Sequence, residues 1–243
     1  MPEIVTSNRK RDSASIHWLT QTLADVPEAD DWLNDGERER LATLRFPKRR
    51  NDWRLGRWTA KRLVSSFLDI SPDPASFCAL EIRAAADGAP EVLLRGSAAS
   101  VSLSISHSAA IGFCVVAPRT VVVGCDLENI RAHEPNLAED YFTRDETALI
   151  KQAPACERER LVTLIWSAKE SALKVLREGL RRDTRTLVTR LESRSTRENW
   201  HTLTVRCCQT QRIFPGWWTV SGDQVRTIAS DRLTLAPVAA TLP

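Results

Sequence analysis

The chain has 243 residues, with 34 lysines and arginines against 31 aspartates and glutamates and a formal net charge of +3. That length suits one large domain or two small ones with a real core. The near-neutral balance excludes a surface built throughout for nucleic acid, although a local basic patch is compatible with it.

Residues 1–15 read as a loose polar tail without the apolar stretch of a signal peptide. No later apolar run approaches the ~18 residues of a membrane span, so a cytoplasmic protein off the membrane is expected. Residues 16–21 read as a first strand, and 35–45 as a charged helix that Pro47 ends. Lys48, Arg49, Arg50, Arg54 and Arg57 then alternate with Trp53 and Trp58 in a segment that leads into a helix through Leu68. Such a run is either a solvated helix face with tryptophan anchors or an anion site in which guanidinium groups fork onto phosphate. After a turn at 71–74, residues 77–83 read as a strand, 84–90 as a loop and 92–95 as a short apolar piece. The alternation Val101-Ser-Leu-Ser-Ile-Ser106-His107-Ser predicts a half-buried strand with the serines on one face and His107 continuing the apolar face. A lone histidine there is more often a satisfied structural residue than a catalytic one.

An apolar strand at 111–117 and a turn at Pro118-Arg119 precede Val121-Val-Val-Gly124-Cys-Asp126-Leu-Glu128. Gly124 permits close approach of a ligand or another backbone. Asp126 and Glu128, two apart on an extended chain, project from one face. Side by side they repel unless a cation lies between them, and an all-oxygen site of this kind suits magnesium with phosphate oxygens as co-ligands; an exposed acidic turn is the plainer alternative. Thr143 and Glu146 fit an N-capping box, and capping is a sufficient role for Glu146. A short helix to about Lys151 follows.

The stretch from 157 to 177 is a long helix whose apolar arc holds Leu164, Ile165, Ala168, Ala172 and Leu173. Lys169 falls inside that arc, with Glu170 at its edge and Lys174 one turn further on. An ammonium on a core-facing arc is costly unless something negative meets it. An i,i+4 Glu170–Lys174 pair and a snorkelling Lys169 would satisfy the same pattern. Alternating segments at 186–191, 203–207, 217–220 and 226–229 predict antiparallel strands, and 232–243 a disordered tail. The six cysteines lack CxxC spacing and the four histidines are scattered, which predicts reduced thiols and no zinc site. No fixed-period repeat is present. Each side of a seam near Arg119 has a helical part and a few strands, compatible with two α+β halves at 1–119 and 120–243.

Val123-Gly124-Cys-Asp126-Leu-Glu128 and Trp166-Ser-Ala-Lys169-Glu170-Ser-Ala-Leu-Lys174 together resemble the two-part signature of the 4′-phosphopantetheinyl transferases; Asp126 and Glu170 lie 44 positions apart. Ser104-Ile-Ser106-His107-Ser108, Phe142-Thr-Arg-Asp-Glu146 and Arg54-Leu-Gly-Arg57 resemble further elements of the larger, surfactin-synthetase-activating branch. Gly88-Ala89-Pro90 departs from that branch, which often carries Gly-Lys-Pro there, so a lysine near the adenine is missing.

The resemblance implies two similar α+β halves with the active site in the cleft between them, and a monomer. It implies coenzyme A and magnesium as ligands, and transfer of the phosphopantetheine arm to a serine of an acyl or peptidyl carrier protein with release of 3′,5′-ADP. On that footing Asp126, Glu128 and Glu170 hold the metal. Lys169 and Lys174 meet the pyrophosphate, with Lys174 serving the leaving group. His107 donates to a pyrophosphate oxygen with Ser106 beside it. Glu170 or Glu146 takes the serine proton, directly or through a metal-bound water. Lys48, Arg49, Arg50, Arg54 and Arg57 grip the 3′-phosphate. Two other readings are a relative that binds coenzyme A or carrier protein without turnover, and a single-stranded nucleic-acid binder using the Arg/Trp segment. The second leaves the acidic pair unexplained.

Overall fold

The structure, a computed structural model, describes residues 15–134, 136–196 and 199–242; all but the last residue of the expected N-terminal tail lies outside them. The N-terminal half contains β1 (His17–Thr22), α1 (Asp35–Ala42), α2 (Pro47–Leu68), α3 (Pro74–Ala79), β2 (Leu80–Ala84), β3 (Pro90–Leu94), β4 (Ser97–Ala98), β5 (Val101–Ser108) and β6 (Ile111–Pro118). The C-terminal half contains β7 (Val123–Asn129), α4 (Leu137–Tyr141), α5 (Arg144–Gln152), α6 (Ala155–Leu176), β8 (Leu187–Ser195), β9 (His201–Cys207), β10 (Ile213–Ser221), β11 (Gln224–Ser230) and the short β12 (Val238–Ala239). Most elements match the sequence reading with shifted ends, and two differences have a local cause. Pro47 opens α2 at the first helical position, where its missing N–H is not needed. Residues 74–79 form a helical turn capped by Asp73, which accepts from Ser76 N, before the strand begins.

The sheets run β12-β1-β6-β5, β2-β3-β4 and β7-β11-β10-β9-β8. Helix α2 packs on the first and α6 on the third. The α+β expectation of two similar halves holds in detail. Each half lays a 22-residue helix on an antiparallel sheet with a matching strand order, β1-β6-β5 in one and β7-β11-β10 in the other.

A repeated clamp marks the same relation. Lys61 is the fifteenth residue of α2, and Lys169 the fifteenth of α6. Lys61 pairs with Glu37 and donates to Trp32 O at 3.0 Å and Phe77 O at 2.7 Å. Lys169 pairs with Glu146 at 2.7 Å and donates to Tyr141 O and Thr184 O, both at 3.1 Å. Each glutamate is the third residue of a helix, closes a capping box with Asn34 or Thr143, and spends its other oxygen on a strand N–H, from Ile82 or Thr189. Both pairs are buried. A buried ion pair satisfied on every side anchors geometry more than it adds net stability.

The seam between the halves uses the serine face of β5. Ser102, Ser104 and Ser106 accept through Oγ from the backbone N–H groups of Val123, Cys125 and Leu127 at 3.2, 2.9 and 3.2 Å. The period of two that placed the serines on one face thus meets the period of two of β7. Hydroxyls stand in for ladder partners along an edge that would otherwise leave N–H groups unpaired. The C-terminal residues are not a free tail. Val238 N donates to Ile16 O and Ala240 N to Trp18 O, at 2.9 and 2.8 Å, so β12 covers the edge of β1. Ala240 and Leu242 pack on the N-terminal core. Trp200 is buried between the sheets, edge-on to Trp18 with ring centroids 5.8 Å apart.

Candidate active site

Gly124 sets the distance between β7 and α6. A Cβ there would stand 2.1 Å from Ser171 O and 2.9 Å from Lys174 Cβ. The approach that glycine permits is therefore that of the helix backbone. It brings Glu170 and Lys174 of α6 against Asp126 and Glu128, on the same face of β7.

Asp126 is buried at the centre. Its Oδ1 accepts from Ser106 Oγ at 2.9 Å and from Lys174 Nζ at 3.1 Å. Its Oδ2 is buried without a hydrogen-bond partner, as is Glu170 Oε1. Burial and then the neighbouring Asp126 push the Glu170 carboxyl up to about 6. Glu128 is pushed up by lost hydration and by Asp126, while a hydrogen bond from the Trp166 side chain opposes the shift. These shifts record burial first and then the presence of three carboxylates in one site. Lys174 donates to Cys125 O at 2.7 Å as well as to Asp126. Burial works against its charge, but Asp126, Cys125 and Glu170 outweigh burial and hold its pKa up. An ammonium has three donors, so one remains for a ligand.

His107 lies beyond Ser106 at the end of β5 and lines a hollow of about 420 Å³ with Lys48, Arg49, Asp52, Trp53 and Phe46. Lost hydration, followed by the competing charges of Asp52 and Lys174, leaves its pKa lowered. Of the five basic residues expected to meet an anion, Lys48 and Arg49 reach this hollow, and Lys48 also pairs with Asp52 at 2.9 Å. Arg50 instead donates to Leu41 O and Leu44 O at the end of α1, and Arg54 holds Asp30 at 2.8 Å together with Pro27 O and Glu28 O. Arg57 lies over the Trp53 ring, 5.0 Å from its centroid, and burial lowers its pKa. Arg50 and Arg54 thus fasten α2 to its own half, whereas the Arg57–Trp53 contact lies within α2 itself.

Glu146 and Lys169 also differ from expectation. The four donors that meet Glu146 are Thr143 N, Thr143 Oγ1, Thr189 N and Lys169 Nζ, and the carboxylate is 3 % exposed. Lys169 is fully buried, with each of its three donors engaged. The same clamp recurs at Glu37–Lys61, where no acidic cluster exists. Its place in both halves assigns it to architecture, and it leaves no free oxygen for a base and no free donor for a pyrophosphate.

A second cavity, of about 490 Å³, opens where the halves meet, bounded by Gly88–Val92, Ser102–Ile105, Val122, Val123, Lys174 and Arg177. Ala89 stands at its rim. Arg177 and Asp87 approach to 3.5 Å across it.

Among the described residues, no three His, Cys, Asp or Glu side chains form a ready metal cage. The donor set nevertheless fits magnesium. That ion needs only one or two carboxylates when waters and phosphate oxygens complete its shell, and Asp126 Oδ2 and Glu170 Oε1 are oxygens without other partners. Among the described residues no helix is long and apolar enough to cross a membrane.

Residues 122–226, which carry the acidic cluster and Lys174, match the model of the 4′-phosphopantetheinyl transferase superfamily. The chain is similar to the 4′-phosphopantetheinyl transferase HetI of Nostoc sp. (strain PCC 7120), at 26 % identity over 164 residues, which is 67 % of each chain. Among solved structures it is similar to a holo-(acyl-carrier-protein) synthase from Bacillus anthracis str. Ames in complex with CoA (3′,5′-ADP). That likeness has 23 % identity and a TM-score of 0.36, covering 42 % of this chain and 93 % of the other.

Proposed function

We propose that this chain is a 4′-phosphopantetheinyl transferase. It moves the phosphopantetheine arm of coenzyme A to a serine hydroxyl of an acyl or peptidyl carrier protein, with magnesium, and releases 3′,5′-ADP. The observation that carries the reading is Asp126, within the family segment. One of its oxygens is held by Ser106 and Lys174, and the other is buried without a hydrogen-bond partner beside the charges of Glu170 and Glu128.

Asp126, Glu128 and Glu170 would hold the magnesium ion, which when bound acts as a Lewis acid on the phosphoryl oxygens and neutralises their developing charge. Lys174 is fixed by Cys125 O and Asp126 and directs its remaining donor to the oxygen that departs with 3′,5′-ADP. His107, Lys48 and Arg49 line one hollow and gather the phosphates of coenzyme A. Glu170, which lies in the cluster, is the base candidate for the serine hydroxyl, since Glu146 has both oxygens engaged inside the fold. The chain acts as a monomer, because its two halves already enclose the cleft.

The test is intact-mass spectrometry of apo carrier proteins incubated with this protein, coenzyme A and magnesium. The expected result is a gain of one phosphopantetheine arm, abolished by EDTA and by Asp126→Ala. No gain with fatty-acid, polyketide or peptide carrier proteins, despite a folded enzyme, would overturn the assignment.

A further inference from the structure

Glu170 can act with Asp126 only if α6 is held at one axial position on the sheet, since a helix can slide along a smooth apolar contact. Three hydroxyls prevent that slide. Thr227 of β11 lies directly opposite Asp126 in the β7–β11 pairing. Its Oγ1 contacts Ser167 Oγ at 2.8 Å and Ser171 Oγ at 2.7 Å, and donates to Ser167 O at 2.8 Å. Ser171 Oγ also reaches Thr227 O, at 3.1 Å. All three residues are fully buried. Ser171 directly follows Glu170, and Ser167 lies one turn earlier. The latch therefore grips α6 on both sides of Glu170 and ties it to the strand that flanks Asp126.

We propose that Thr227, through Ser167 and Ser171, is a positioning residue that sets the placement of Glu170 relative to Asp126 for cation and coenzyme A binding. This inference rests on the metal-dependent transferase reading given above. Physically, packing at Gly124 sets how close α6 approaches β7, whereas directional hydrogen bonds set where along its axis it stops. Buried hydroxyl networks specify one arrangement because any slip would leave several polar groups unpaired at once. The two serines of the Trp-Ser-Ala-Lys-Glu-Ser stretch thus have a structural account, while Thr227, far away in sequence, has no local signal.

The experiment uses the full-length protein and Mn²⁺ as probe, with bound ion counted by electron paramagnetic resonance and coenzyme A affinity measured by calorimetry. Asp126→Ala is the reference for loss of the site. Thr227→Val is expected to weaken Mn²⁺ binding about tenfold, as loss of an outer-shell support does at metal sites. Thr227→Ser, which keeps the hydroxyl, is expected to restore affinity to within a factor of about two on the same grounds. A triple variant, Ser167→Ala with Ser171→Ala and Thr227→Val, leaves no hydroxyl unpaired and is expected to keep its melting temperature. It should still bind Mn²⁺ weakly, which separates positioning from simple support of the fold. If wild type binds Mn²⁺ and Asp126→Ala does not, while the triple variant matches wild type, the latch proposal falls and the site survives. If wild type itself binds no Mn²⁺ with coenzyme A present, the metal reading falls, and the latch with it.

Discussion

Replacing Lys169 with methionine separates the two uses that a buried lysine in this helix can have. The substitution keeps an unbranched side chain one atom shorter and removes its charge. It deletes the 2.7 Å ion pair with Glu146 and two hydrogen bonds of 3.1 Å, to Tyr141 O and Thr184 O. Glu146 keeps its donors Thr143 N, Thr143 Oγ1 and Thr189 N, but its charge is left buried without a counter-ion. Breaking one side of a buried pair costs about 3–5 kcal/mol. For a chain of this size that corresponds to a fall in melting temperature of about 6–20 °C. Urea unfolding and thermal scans measure it, with coenzyme A affinity determined well below the transition and expected to be unchanged. A second change, Glu146→Gln in the Lys169→Met background, should recover part of the loss. Lys61→Met should produce a similar fall in the N-terminal half, where the same clamp stands without a carboxylate cluster. A Lys169→Met protein of wild-type stability that had lost coenzyme A affinity would refute the reasoning and return Lys169 to the anion site.

Four further outcomes are expected. Gly124→Ala should fail to accumulate as folded protein, because its Cβ would lie 2.1 Å from Ser171 O, where backbone must move; soluble yield and circular dichroism decide it. Paired substitution of Lys48 and Arg49 by alanine should weaken coenzyme A more than its 3′-dephospho form, whereas Arg54→Ala should lower stability and leave the ratio of the two affinities alone. Equal losses for both ligands in the first variant would move the 3′-phosphate away from the His107 hollow. Glu170 carries a stability signature of its own. Its pKa rises from 4.5 to about 6 on folding, so the folded protein binds that proton more tightly. Stability contributed at this position falls as pH rises from about 4.5 to 6 and stays low above. Glu170→Gln, in EDTA at pH 7.5, should therefore be more stable than wild type by at most about 2 kcal/mol. The gain should vanish below pH 4.5, and a gain independent of pH would remove the three-carboxylate explanation. Lys174→Ala should lower turnover more than coenzyme A affinity, measured by stopped-flow release of 3′,5′-ADP and by calorimetry.

Local chemistry made part of this protein readable from its sequence. Period-two alternation placed Asp126 and Glu128 on one face of a strand and the β5 serines on another, because side-chain direction in a strand depends only on parity. Helical periodicity put Lys169 inside the buried arc of α6 for the same kind of reason, and Gly124 announced a close approach. The partners in each case were set by tertiary structure. Gly124 receives the backbone of α6, the serines receive the N–H groups of β7, and Lys169 meets Glu146. The capping box that marked Glu146 accounts for one of its oxygens, while the other belongs to a strand N–H more than forty positions away. Arg50 and Arg54 belong to a run that by sequence is either a solvated face or an anion site, and backbone carbonyls at the end of α1 and in the loop before it claimed them. The repeated clamp escaped the search for a repeat because only its ion pair recurs in residue type, Glu37 as Glu146 (146 − 37 = 109 positions on) and Lys61 as Lys169 (169 − 61 = 108). The capping residue and the residues whose carbonyls accept from the lysine differ in type, Asn34 against Thr143 and Trp32 against Tyr141. Sequence alone therefore determined which groups carry charge and which face of each element they occupy. Burial and chain topology decided which of those charges were satisfied inside the fold, and so which oxygens at Asp126 and Glu170 were left open for chemistry.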